Sequence, residues 1–282
     1  MDEKLIALIV EEVVKQLSAV QEQGKQPISC KACEDISSPA CKAIPLVNAQ
    51  DPEALLRMKR KTNARIGVGK SGARLNTQTM LALRADHAQA RDAVFVDVDP
   101  ELLKDLDLFT VQTCCEDKNT YITRPDLGRT LSENAVKTLK EKCIMNPDVQ
   151  IYAADGLSST AISVNLPKIL PVLMDALKQR GLKVGTPFYL RFGRVGSQEH
   201  VAETLGAKVV CVLIGERPGL ATAESMSAYI AYNAYVGMPE SKRTVVSNIH
   251  KDGTAAVEAG AYVADVIQQI LEQKASGVEL VK

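Results

Sequence analysis

The chain has 282 residues, and its 34 basic and 34 acidic side chains give a formal charge of zero at pH 7. This balance, with 4% aromatic residues and no Trp, argues against a nucleic-acid-binding protein, which needs a basic surface and stacking rings. No apolar run approaches the roughly 18 residues of a membrane span, and the N-terminus lacks signal-peptide features, so we expect an intracellular protein that does not contact membranes.

An amphipathic helix is predicted for residues 1–19, where apolar side chains recur every four positions at Leu5, Ile9, Val13 and Leu17. Residues 20–49 are rich in Gln, Ser, Pro, Gly and Lys and show no hydrophobic period, which is typical of a flexible linker. A helix at the end of a linker either docks on another protein or makes an oligomer or domain contact. The sequence leaves both interpretations open.

Three cysteines in the linker, Cys30, Cys33 and Cys41, have the spacing C-x2-C-x7-C, which resembles the beginning of a zinc or iron–sulfur site. Structural zinc needs four ligands, and no fourth Cys or His lies nearby in the sequence. Free, reduced thiols are therefore the favoured interpretation, and we expect no metal site.

Residues 50–108 are predicted to form a small, mostly helical domain. Its helical periodicity is interrupted by a Gly-rich turn at residues 66–72 that resembles a phosphate-binding loop, but Ala64 stands where that motif requires Gly. Three basic residues surround the turn: Arg65, Lys70 and Arg74. We expect them either to bind a phosphate or carboxylate group or to lie in solvent.

Residues 109–282 alternate between strand and helix patterns, and we predict a Rossmann-like domain here. Strands are expected at residues 109–115, 149–154, 186–192, 209–214 and 244–249, with helices between most of them. This order predicts the α/β class, with a doubly wound, mainly parallel sheet that follows the small helical domain and the tethered N-terminal helix.

The strand at residues 209–214 organises this domain. Its six consecutive apolar residues indicate a strand buried on both faces, and it stops at Gly215 because Pro218 and Gly219 prevent its continuation. Ligands of open α/β sheets bind beyond the carboxyl ends of the strands. The polar loop that begins at Glu216 is therefore a candidate binding site, although Glu216 also suits the N-terminus of a following helix.

Several common catalytic and cofactor motifs are absent from this domain. It has no G-x-G-x-x-G turn after its first strand, no Gly-x-Ser-x-Gly elbow and no His-Glu-x-x-His pair, so a binding role is favoured over a self-contained active site. Residues 248–253 resemble the Asp-x-His-x-x-Gly motif of corrinoid proteins, but Asn248 replaces the carboxylate that would orient the imidazole. His250 is therefore expected to form hydrogen bonds rather than to bind cobalt.

Six strings of this sequence resemble the small subunit of ethanolamine ammonia-lyase, and they occur in the same order as in that family. They are YITRPD at 121–126, DGLS at 155–158, GLKVGTPF at 181–188, GERPG at 215–219, SNIH at 247–250 and EQKASG at 272–277. The similarity extends from about Thr62 to the C-terminus.

The resemblance implies an adenosylcobalamin-dependent lyase that converts ethanolamine to acetaldehyde and ammonia. In this family a large subunit holds the substrate in a TIM barrel, and the small subunit covers the cobalamin, which keeps its own base on cobalt. The family's cobalamin contacts correspond to Val195, Glu216 and Val245 here, with no catalytic residue on this chain. Relatives can carry Cys at the last position, so Val245 favours a main-chain contact.

The resemblance also implies a bacterial microcompartment as the location. Residues 1–19 resemble the helical signals that dock cargo on shell or core proteins, which are therefore expected partners alongside the large subunit. Two other functions remain open at this stage. One is a stand-alone nucleotide-binding oxidoreductase, and the other is a non-catalytic adaptor of the microcompartment.

Overall fold

The structure is a computed structural model that describes residues 48–62 and 64–281. The helix predicted at residues 1–19, all but the last two residues of the 20–49 linker, and the three linker cysteines lie outside the described residues. The chain divides between Ala85 and Asp86 into two compact units. The domain limits given above, 50–108 and 109–282, stay predictions.

The first helices begin at side-chain caps. Helix α1 (Pro52–Lys59) follows Asp51, whose carboxylate accepts a hydrogen bond from a first-turn N–H at 2.9 Å. Helix α2 (Thr77–Phe95) follows Asn76, whose amide oxygen accepts from a first-turn N–H at 2.8 Å. Such caps satisfy N–H groups that have no partner within the helix.

The Gly-rich turn is a β-hairpin. Strands β1 (Lys70–Ser71) and β2 (Arg74–Leu75) pair antiparallel, and Gly72 between them has a φ of 62°, which Gly adopts without strain. In a phosphate loop the Lys and Ser open a helix, whereas Lys70 and Ser71 here form strand β1, and helix α2 begins only after β2. The side chains of Arg65, Lys70 and Arg74 are exposed, and anion binding by them stays a prediction.

The second unit is built around a six-stranded sheet. Its strands are β3 (Phe109–Gln112), β4 (Val149–Ala154), β5 (Phe188–Arg191), β6 (Val209–Gly215), β7 (Met226–Tyr232) and β8 (Arg243–Ile249). Its further helices are α3 (Pro100–Asp105), α4 (Lys118–Thr123), α5 (Glu133–Lys142), α6 (Ser159–Gln179), α7 (Ser197–Leu205) and α8 (Ala256–Gln273).

The sheet is mixed, in the order β3-β5-β4-β6-β7-β8. The first three neighbouring pairs are parallel, and β7 pairs antiparallel with both β6 and β8. The predicted α/β class is confirmed, but one antiparallel strand, β7, was not predicted. The reason is that the connection 216–225 is too short for a helical crossover, which takes a dozen or more residues, so the chain returns directly beside β6. The Rossmann-like, doubly wound classification stays a prediction.

Two apolar cores cover the two faces of the sheet. Helices α6 and α8 pack on the first face, and α5 and α7 pack on the second face. Strand β6 serves both, because Cys211 and Leu213 face the first core and Val210 and Val212 face the second. Every residue of β6 is buried, so the prediction of a strand buried on both faces is confirmed.

Helix α6 is long and apolar enough to cross a membrane by length and composition alone, with a mean hydropathy of 1.2. Its fully buried side chains include Leu166, Leu173 and Leu177, which belong to the first-face core together with side chains of the sheet and α8. These contacts identify α6 as a core helix of the sheet.

One edge of the sheet collects most of the polar loops. Because β7 is antiparallel to both of its neighbours, β8 runs in the same direction as the parallel strands. The carboxyl ends of β3, β4, β5, β6 and β8 therefore lie at one edge, which we call the carboxyl edge. Among the described residues, β3 and β8 form the two outer strands of this sheet.

Candidate functional site

The loop after β5 is held in an uncommon backbone conformation at the carboxyl edge. Phe192 has a φ of 58°, a left-handed value that bulky residues rarely adopt. Its carbonyl oxygen accepts a hydrogen bond from the Thr113 hydroxyl at 3.0 Å, and the Gly193 carbonyl accepts one from the Tyr121 hydroxyl at 3.1 Å. Buried side chains from two other segments thus fix the path of this loop.

The next residue, Arg194, is anchored by the same tyrosine. Its guanidinium donates a hydrogen bond to the Tyr121 carbonyl at 2.7 Å and lies 4.3 Å from the centre of the Tyr121 ring, a distance at which cation and ring attract each other. The Arg194 N–H donates to the Gly128 carbonyl at 2.9 Å. The backbone position of the following residue, Val195, is therefore well defined.

A buried ion pair lies beneath this loop. The Lys118 ammonium is 3.1 Å from the Asp155 carboxylate, and their side chains are 11% and 1% exposed. Burial raises the pKa of Asp155, while Lys118 and the N–H groups of Phe192 and Gly193 oppose that rise. A buried carboxylate persists only when paired in this way, so the pair joins α4 to the end of β4 and to the β5 loop.

Val195 lies between this loop and α7 and packs, half-buried, against the second-face core. Its carbonyl accepts the N–H of Gln198 at 3.2 Å. The Gln198 side-chain amide donates to the Val210 carbonyl at 3.0 Å and to the Tyr229 carbonyl at 2.8 Å. The beginning of α7 is therefore tied to β6 and β7.

Glu216 is the first residue after β6 and lies half-buried. Its N–H donates to the Ser225 carbonyl at 2.9 Å, and its carboxylate accepts a hydrogen bond from the Ser227 hydroxyl. Burial is the largest cause that raises the pKa of Tyr229. The negative charge of Glu216 and a hydrogen bond to Glu216 raise that pKa further. The interpretation of Glu216 as a helix cap is wrong, because the next element is strand β7.

Val245 lies within β8, directly opposite Tyr229 in the register of β7 and β8. Its side chain is 44% exposed. Residues in register on neighbouring strands share a face of the sheet. Val245 therefore lies on the same face as Tyr229, which itself neighbours Glu216. Unlike Val195 and Glu216, it is not part of a carboxyl-edge loop.

Two of the three predicted site residues, Glu216 and Val245, therefore neighbour Tyr229 of β7, and Val195 packs against the same second-face core as Tyr229. We call this group of residues the second-face site: Val195, Glu216, Ser227, Tyr229 and Val245. Ser227 and Tyr229 were missed because β7 itself was not predicted. The signal was present in the alternating sequence M-S-A-Y-I-A-Y of residues 226–232, which is typical of a strand whose alternate residues share a face.

His250 is already engaged within the protein. Its Nδ1 accepts the N–H of Asp252 at 3.2 Å, so its Nε2 carries the proton and donates to the Asn248 side-chain oxygen at 2.8 Å. Both ring nitrogens are used, as expected for a hydrogen-bonding histidine. Within residues 48–62 and 64–281, no group of three or more His, Cys, Asp and Glu side chains could hold a metal ion.

The sequence matches a known family over most of its length. The family described as ethanolamine ammonia-lyase light chain (EutC) matches residues 52–281. A protein of Fusobacterium nucleatum subsp. nucleatum named ethanolamine ammonia-lyase small subunit is 60% identical over 84% of this chain and 80% of its own length.

Two further relatives carry the same name. The protein of Clostridium perfringens is 53% identical over 96% of this chain and 91% of its own length. That of Clostridioides difficile is 47% identical over 99% of this chain and all of its own length. The resemblance stated from the six sequence strings is confirmed. The chain therefore belongs to the ethanolamine ammonia-lyase light-chain family and is a subunit of a lyase.

Proposed function

We propose that this chain is the small subunit of an adenosylcobalamin-dependent ethanolamine ammonia-lyase, which converts ethanolamine to acetaldehyde and ammonia. Membership in the light-chain family is the observation that carries the proposal. The same names favour a lyase over a stand-alone nucleotide-binding oxidoreductase. On a doubly wound, Rossmann-like sheet, the second-face site would form one side of a pocket that a large subunit completes.

The chemistry of the second-face site suits a corrin. A corrin combines a broad apolar ring with amide groups around its rim, and the Glu216 carboxylate is a strong acceptor for such amides. Val195 and Val245 offer apolar contact and main-chain groups to the ring, as ligand sites commonly do. His250 has no nitrogen free for cobalt, which fits a cofactor that keeps its own base.

The roles of this chain are binding and orientation. Adenosylcobalamin supplies homolysis of its cobalt–carbon bond, and the protein supplies position and exclusion of water. The backbone of residues 192–195, fixed by Thr113 and Tyr121, would hold Val195 in place. We assign no proton transfer to this chain, because the family resemblance places the substrate in the large subunit.

The site is open on the side away from the core, which supports a second polypeptide as its other half. Val245 is 44% exposed, and β8 is an outer strand. The large subunit is the partner that the small-subunit names of the relatives imply. For residues 1–19 we propose docking on shell or core proteins of a bacterial microcompartment, where the complex would reside.

Reconstitution tests the proposal. The purified chain is expected to have no lyase activity, whereas mixing it with the large subunit and adenosylcobalamin is expected to produce acetaldehyde and ammonia from ethanolamine. Activity of the isolated chain, or full activity of the large subunit without it, would contradict the proposal. Equal binding of the two chains with and without corrinoid, without turnover, would favour the adaptor instead.

A further inference from the structure

A second concave site lies at the carboxyl edge, outside the second-face site. It is a cavity of about 520 Å³ within residues 86–282, and its walls come from α2, α4 and the loops after β4, β5 and β6. Three arginines from three different elements line it: Arg91, Arg194 and Arg217. His87 lines it as well, and none of its lining residues is an Asp or Glu. We call it the arginine pocket.

The guanidinium groups of this pocket form no ion pair with a carboxylate among the described residues. Within the described part of the chain, Arg217 has no ion-pair or hydrogen-bond partner. The described contact of Arg91 is with the Phe95 ring, 5.8 Å from its guanidinium. Arg194 donates to a backbone carbonyl rather than to an acidic group. Three like charges around one cavity repel each other unless an anion lies between them.

The geometry favours a phosphate ester over a simple anion. Guanidinium groups on different elements can approach one centre from separate directions, which suits the tetrahedrally arranged oxygens of a phosphate group better than the coplanar pair of a carboxylate. The remaining walls include Val94, Ile122 and Leu157, which offer apolar contact to the organic part of an ester. A volume of about 520 Å³ accommodates such a group.

We propose that the arginine pocket binds a phosphate ester, with Arg91 and Arg217 contacting the phosphate and the apolar wall contacting its organic group. Arg194 and Arg217 directly neighbour Val195 and Glu216 in the sequence. The phosphate therefore comes either from the nucleotide tail of the corrinoid or from a separate small molecule. Both sources present negatively charged phosphate oxygens in a tetrahedral arrangement.

The first test needs neither the large subunit nor a corrinoid. The full chain is titrated with phenyl phosphate and with benzoate, and binding is measured by calorimetry. Phenyl phosphate is expected to bind more tightly than benzoate, and the double variant R91Q/R217Q is expected to raise its Kd by about tenfold or more, as for loss of charge-assisted hydrogen bonds. The control R124Q removes one positive charge, as each single variant R91Q or R217Q does, from an exposed residue near the pocket that does not line it.

Two outcomes would overturn the proposal. The first is that benzoate binds as tightly as phenyl phosphate. The second is that the Kd for phenyl phosphate rises as much in the control R124Q as in the single variants R91Q and R217Q. Circular dichroism and thermal unfolding establish that each variant is folded. Since the arginines line the surface of the cavity, the single variants keep the test informative if the double variant does not fold.

The second test identifies the source of the phosphate and alone rests on the proposed function. The two-chain complex is titrated with adenosylcobalamin and with adenosylcobinamide, which lacks the phosphate and nucleotide. Weaker binding of adenosylcobalamin alone in R91Q/R217Q would assign the pocket to the cofactor's own phosphodiester. Unchanged binding of both corrinoids, with phenyl phosphate binding lost, would assign it to a separate phosphate ester.

Discussion

At the scale of single residues, Glu216 is the side chain on which the proposed cofactor contact depends most. Replacing Glu216 by Ala removes the acceptor offered to corrin amides, and we expect the apparent Kd for adenosylcobalamin to rise about tenfold. Turnover at saturating cofactor should fall by less, because the residue binds rather than transfers protons. Steady-state kinetics of the two-chain complex over a range of cofactor concentrations measures both quantities.

The matched control for this change is Glu272→Ala, which removes an exposed carboxylate from α8. It should leave both constants unchanged. A fall in turnover of Glu216→Ala that exceeds the change in cofactor affinity would move Glu216 from binding into the chemistry.

The buried pair of Lys118 and Asp155 makes a prediction about stability and pH. In Lys118→Met the buried carboxyl loses its cation, and we expect a loss of about 3 kcal/mol in the free energy of unfolding near pH 8. The pKa of Asp155, already raised by burial, rises further in this variant. The folded state then binds a proton that the unfolded state releases, so stability falls as pH rises and the loss is smaller near pH 5.

Urea unfolding of the wild type and Lys118→Met at both pH values tests this expectation. The control is Lys208→Met, which breaks an exposed pair with Asp148 whose side chains are 61% and 27% exposed. That change should cost less than about 1 kcal/mol. Equal losses in the two variants, or a loss in Lys118→Met that grows toward pH 5, would refute the assignment.

The described cysteines should differ sharply in reactivity. Burial raises the pKa of Cys143 to about 11 and that of Cys211 to about 12, so little reactive thiolate exists on either at pH 8. Cys114 is exposed. Iodoacetamide treatment of the folded chain at pH 8, followed by peptide mass spectrometry, should therefore modify Cys114 and spare the other two. Equal modification of the three before urea is added would contradict their burial.

At the scale of elements, the end of β6 is where the site is most sensitive to backbone changes. A Cβ atom at Gly215 would collide with the carbonyl oxygens of Asp155 and Ser158, which belong to the loop after β4. We expect Gly215→Ala to lower the free energy of unfolding by about 2 kcal/mol. In the loop after β6, a Cβ at Gly219 would meet no atom closer than 3.8 Å, so Gly219→Ala should be nearly neutral. Urea unfolding of the wild type and the two variants measures this difference, and equal midpoints for Gly215→Ala and Gly219→Ala would contradict it.

Strand β7 is the part of the sheet that the sequence did not predict. The run 209–214 was recognised because a strand buried on both faces is continuously apolar, a local signal. Residues 226–232 were not recognised, although they alternate, because they follow a loop with Pro and Gly and contain Ala, Ser and Met. Their pairing with β6 comes from tertiary contacts, which outweigh weak local propensity.

At the scale of the whole molecule, we propose that the second-face site is one half of a larger site that the large subunit completes. Deleting residues 1–19 is expected to leave the kinetic constants of the two-chain complex unchanged, since the family match begins at residue 52. The truncated complex should lose its association with the microcompartment. Fractionation of cells that express the full-length and truncated chains measures this, and unchanged encapsulation would disprove the docking role.

The sequence by itself determined the α/β class, the buried strand ending at Gly215 and, through six short strings, the family. Each of these follows from a pattern of residues that are contiguous in the sequence, so it can be identified without the three-dimensional structure. Only the tertiary structure decided that Glu216 and Val245 both neighbour Tyr229, that Val195 packs against the same core as Tyr229, and that three arginines from three elements line one pocket. The reason is physical: such groupings depend on the direction and register of β7 and β8 and on loops that meet at one sheet edge, none of which local sequence specifies.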